Sequence, residues 1–89
     1  MPVPSLEQEF QALLAADERI AHAEAQLAHQ RGVQQELLKD GHVGAAADAL
    51  RVTETMRGML EQYREHRKQV VRMIDDIRAG RIPNSDKSG

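Results

Sequence analysis

The stretch Lys39-Asp40-Gly41-His42-Val43-Gly44 divides this chain into two uninterrupted halves. The only prolines are Pro2, Pro4 and Pro83, so nothing between Ser5 and Ala79 forces a helix to stop. Gly41 can take the left-handed conformation with which helices commonly end, and Gly44 can serve as a modest N-cap for a second helix. A connection this short leaves two long helices only an antiparallel arrangement. The turn residues Asp40, Gly41 and His42 therefore predict an all-α fold, an antiparallel two-helix hairpin.

Apolar residues on both sides of the turn recur in heptads. In the first half one position takes Leu6, Leu13, Ile20, Leu27 and Gln34, and the next takes Ala16, Ala23, Gln30 and Leu37. In the second half the seam restarts with Ala46, Ala49, Thr53, Met56, Leu60 and Tyr63, and runs through Arg67, Val70, Ile74 and Ile77. This is the a/d pattern of a coiled-coil-like pairing. Ser5 and Gln8 form an S-x-x-Q capping box at the start, with Glu7 and Glu9 in the first turn, where acids suit the helix dipole. Gly80 ends the second helix.

The expected organisation is an N-terminal arm over residues 1–4, helices over about 5–39 and 44–79, and a polar, disordered tail over 80–89. The short turn makes facing positions sum to about 83. Leu37 then meets Ala46, Leu27 meets Met56, and Ala23 meets Leu60. Arg67 falls on the seam, where a charge needs a partner. Asp17 stands almost opposite, so Asp17 and Arg67 are the expected register pair. Acid-to-base pairs at i, i+3, such as Asp48/Arg51 and Glu65/Lys68, line the second helix as solvation and helix support. Gly32 and Gly58 occupy outward positions without an evident role.

Composition narrows the function. The chain has 89 residues, twelve of them alanine, with one Phe, one Tyr, no Trp and no Cys. A disulfide scaffold, Cys-zinc sites and thiol nucleophiles are excluded. Neither a secretory signal nor a membrane-spanning run is present, and a cytoplasmic protein with no membrane contact is the expectation. The net charge of −2 exerts no global pull on nucleic acid. His22 and His29, seven residues apart, are too far apart to share a metal, and Glu18 with His22 reads as a solvated i, i+4 pair. No metal or cofactor is expected.

A single seam buries little. Val52, Met59, His66 and Met73 repeat every seven residues beside the seam, and Phe10, Leu14, Val33 and Leu38 lie off it on the first helix. These predict a dimer interface, with the hairpin pairing into a homodimeric four-helix bundle. The stretch Arg57–Arg72 carries a net charge of +3. Within it Arg57, Arg64, Lys68 and Arg72 form a candidate nucleic-acid patch, weakened by Glu61 and Glu65.

Ile20-Ala21, Glu24, Ala28 and Gln30-Arg31, then Leu37, Asp40-Gly41-His42, Ala47 and Leu50, then His66-Arg67, resemble a group of short bacterial helical-hairpin proteins. Those read approximately I-A-x-x-E-x-x-I-A-x-Q-R, L-x-x-D-G-H-D-T and a late H-R. The resemblance spans about two-thirds of the chain and implies the hairpin, with no transferable activity. Where that group has Asp-Thr after the His, this chain has Val43-Gly44. The architecture, though not the sequence, is also similar to that of the Rop-type plasmid regulator, a dimer of helical hairpins that binds paired RNA loops.

The expected function is a non-enzymatic protein–protein interaction or scaffold module acting as a homo-oligomer, with an as yet unidentified protein as a further partner. The alternative is a small nucleic-acid-binding regulator using the Arg57–Arg72 side.

Overall fold

A computed structural model describes residues 3–87 as a rod of 65 × 19 × 16 Å. Helix α1 spans Leu6–Lys39 and helix α2 spans Val43–Arg78, and the two pack antiparallel along their length. A single 3-10 turn, Ser85–Lys87, follows. No strand occurs among the described residues.

Backbone chemistry at the turn closes α1. Gly41 sits at φ 80°, a region that favours glycine. The amide of His42 donates to the Leu37 carbonyl at 2.8 Å and that of Gly41 to Leu38 at 3.1 Å, the paired bonds of a Schellman motif. Gly44 is not the cap of the second helix. The His42 carbonyl already accepts from Ala46 at 2.9 Å, so α2 starts at Val43 with His42 as N-cap and no side-chain capping bond. The same motif ends α2. Gly80, at φ 78°, bonds to the Ile77 carbonyl and Arg81 to that of Asp76.

The seam is fed unequally. α2 buries Ala46, Ala49, Thr53, Leu60, Val70, Ile74 and Ile77, whereas α1 buries only Ala16 and Leu27. The Thr53 hydroxyl satisfies itself on the Ala49 carbonyl at 3.0 Å, as a buried hydroxyl must. Three of the eight buried apolar residues are alanine, and Leu13, Ile20, Met56 and Tyr63 stay half-buried. Two helices meeting along one line cannot enclose side chains that large.

The segment after Gly80 departs from the sequence expectation of a disordered tail. Residues 81–87 fold back over the start of α1. Asn84 Oδ1 accepts the Leu6 amide at 3.0 Å, Asp86 Oδ2 accepts the Glu7 amide at 2.9 Å, and the Ser85 amide donates to the Pro4 carbonyl at 3.0 Å. The Ser5 hydroxyl donates to Asp86 Oδ1 and accepts the Gln8 amide at 3.2 Å. Ser5 is therefore the N-cap, but the orphan amides of the first turn are taken by the C-terminal strap. The register brings α2's end beside α1's start, and the helix dipole favours a carboxylate there. Polar composition alone does not distinguish such a strap from a solvated tail. The ends of the expected arm and tail, Met1, Pro2, Ser88 and Gly89, lie outside the described residues.

The Ser5 hydroxyl first, and the Glu7 amide second, hold the Asp86 carboxyl below its ordinary value of 3.8. A depressed folded-state value contributes stability above the ordinary value and loses it as pH falls through the lower folded value. The Glu7 amide resonance should therefore titrate with a midpoint below 3.8, and Asp86→Asn should abolish that titration in NMR spectra. At Gly32 and Gly58 an added Cβ meets nothing within 4 Å. Gly32→Ala and Gly58→Ala should each stabilise the hairpin by about 0.5–1 kcal/mol in denaturant unfolding.

Candidate functional site

The seam leaves two flanks of opposite character. One is charged and paired. Arg67 Nε donates to Asp17 Oδ1 at 2.5 Å, Arg64 meets Glu24 at 3.3 Å, and the Arg78 guanidinium lies 5.0 Å from the centre of the Phe10 ring. Asp17 and Arg67 are each nearly half exposed, so the contact positions the helices without a large desolvation cost.

The other flank carries a single fixed charge, Arg19, over its central length. On α2, Val52, Met59, His66 and Met73 form one row at heptad spacing. Arg19 and Gln26 of α1 line a shallow groove with Met59 and Tyr63, which places the α1 row of Ala12, Arg19, Gln26 and Val33 on the same side. The next rows outward are Ala15, His22 and His29 on α1, and Thr55, Gln62 and Gln69 on α2. Residues 10–34 and 50–74 together carry fourteen acidic or basic side chains, and Arg19 is the one that falls on these rows. Its guanidinium stacks 5.5 Å from the Tyr63 ring centre. Loss of charged residues is the compositional mark of an interface core. The apolar repeat identified the α2 row of this flank in the sequence; sorting charge by heptad position would have added the α1 rows.

Val52 and Met59 are each 45% exposed, His66 is exposed and Met73 is half-buried. The off-seam residues of α1 do not join them as a set. Only Val33 shares this flank. Phe10 lies under Arg78 on the charged flank, exposed Leu38 shares its heptad row, and Leu14 is exposed on another row. The four occupy three different heptad positions, so a helix cannot present them all on one side.

The basic stretch is partly neutralised. Arg64 pairs with Glu24, and Lys68 with Glu65 at 3.6 Å. Arg57 shares a groove with Arg31 but also with Glu24 and Glu61. Arg72 lies beside Arg67, Lys68 and Asp75 along a shallow hollow. The turn residues Asp40, Gly41 and His42 are all exposed.

No family model, curated protein or solved structure matches the chain. Among the described residues, no three His, Asp or Glu side chains are grouped to hold a metal ion, and no helix is long and apolar enough to cross a membrane.

A double-mutant cycle on Asp17→Ala and Arg67→Ala should give a coupling of about 0.2–1 kcal/mol, the range of partly exposed pairs. That coupling should shrink in high salt. Strict additivity in low salt would remove this pair from the interactions that hold the register.

Proposed function

We propose that the hairpin is a non-enzymatic interaction module whose first partner is a second copy of itself. Two hairpins pack through the rows of Val52, Met59, His66 and Met73 into a four-helix bundle. The observation that carries this reading is the segregation of charge. Thirteen of the fourteen charged side chains in the central two-thirds of the hairpin lie away from a flank that exposes Val52 and Met59. Random surface patterning does not clear one side of a rod so fully, and a solvated flank gains nothing from it. The thin, alanine-rich seam points the same way, because a second layer would cover the half-buried Met56, Tyr63 and Met73.

Extent also fits. A strip about 37 Å long, at about 1.5 Å per residue over 25 residues, and about one helix pair (19 Å) wide offers on the order of 700 Å² per partner, near the size of a standard interface. The resemblance to short bacterial hairpin proteins accords with this architecture and adds no activity to it.

Light scattering after size-exclusion chromatography at neutral pH and tens of micromolar should give twice the 10.0 kDa chain mass. Met59→Glu should give the monomer, with a lower melting temperature. A wild-type monomer under these conditions would contradict the reading.

A further inference from the structure

Three of the four histidines, His22, His29 and His66, fall on the flank whose one fixed charge is Arg19, while the fourth, His42, is in the turn. We propose that this flank is an acid-released interface: the dimer forms when the imidazoles are neutral and separates when they charge. The proposal rests on the dimer reading above and names how that contact is regulated.

Histidine is the side chain whose ordinary charge change falls between about pH 5 and 8. A neutral imidazole suits an interface core, but an imidazolium must be paired or hydrated there. The groups facing these histidines provide little pairing. His22 shares its groove with Arg19, Gln26, Met59 and Tyr63. Glu18 is the single carboxylate three or four residues from any of the three; Glu65 directly precedes His66 and Glu24 follows His22 by two, and none of these acids lies on the histidine rows. His66 has Gln62, Tyr63, Gln69 and Val70 one turn away on its own helix, and Arg19 stacks on that Tyr63 from α1. His29 is flanked at one turn by Ala25, Gln26, Gly32 and Val33. Protonation therefore adds positive charge to a flank whose existing fixed charge, Arg19, is also positive.

A two-fold that pairs the flank with itself doubles the effect. It places six imidazoles and two guanidiniums in one layer, opposed by two Glu18 carboxylates at its edge. This holds whether the two turns lie at the same end of the bundle or at opposite ends.

Sedimentation equilibrium at pH 8.0 and pH 5.5 tests this, with helicity followed by circular dichroism at each pH. The dissociation constant should rise at least tenfold at pH 5.5 while helicity of the hairpin persists. His22→Gln with His29→Gln should reduce that rise, and adding His66→Gln should remove it. If the triple variant does not assemble at pH 8.0, the double variant carries the comparison. A wild-type dimer of equal strength at both pH values would overturn the switch and leave the dimer reading intact. A monomer at pH 8.0 would overturn the dimer reading itself. An acid weakening that survives undiminished in the double variant and the triple variant would assign the effect to other groups and sink the proposal.

Discussion

Everything in this molecule hangs on the left-handed Gly41. Its positive φ lets the chain reverse within Asp40, Gly41 and His42 while satisfying the last carbonyls of α1. A reversal so tight has almost no slack, so it sets which residues of α1 and α2 face one another. Asp17 reaches Arg67, Glu24 reaches Arg64 and Arg19 reaches Tyr63 because of that register. At the far end the same register delivers the residues after Gly80 to the first turn of α1. There Asn84 and Asp86 accept amides that an isolated helix would leave to water. A loop a few residues longer would leave each of these contacts to be selected by side chains alone.

The seam set by that turn is adequate for direction and poor in volume. Alanine at Ala16, Ala46 and Ala49 brings the helices close, and large residues such as Tyr63 and Met56 are left spilling toward one side. The side they spill toward is the side poor in charge, where Arg19 stacks on Tyr63, whereas the opposite side is laced with ion pairs and the Arg78–Phe10 contact. Packing and electrostatics are therefore partitioned between flanks. One is rich in paired charge, and the other, which exposes Val52 and Met59, is poor in charge.

Much of the fold was legible in the sequence, because its signals are local. Gly41, the proline-free halves and the heptad spacing each act within a few residues, and they give both helices to within a residue or two of their ends. The cap at His42 instead of Gly44 turned on one backbone carbonyl, which composition does not encode. The strap was not legible, since Asn84, Ser85 and Asp86 find their partners some 80 residues away. Leu14, Phe10 and Leu38 misled for a related reason: hydrophobicity off the seam was counted without asking which row each residue occupies. The basic stretch read as one patch along the chain. In three dimensions its members do share one face of α2, but Arg64 is paired with Glu24 and Lys68 with Glu65.

Acid acts on this hairpin at two separate places, and the difference in chemistry keeps them apart. The strap depends on a carboxylate that accepts the Ser5 hydroxyl and the Glu7 amide, and those donors push its titration below 3.8. The charge-poor flank depends on imidazoles, whose ordinary range lies more than a unit higher. Falling pH therefore charges the flank while Asp86 still closes the start of α1 and Schellman bonds still close both helices. In the proposed dimer, the species released is a latched hairpin and not an unfolding chain. Because the hairpin keeps its register after release, raising the pH restores the same flank to the same geometry. Reassembly then requires only that two rods meet, with no helix to be re-formed.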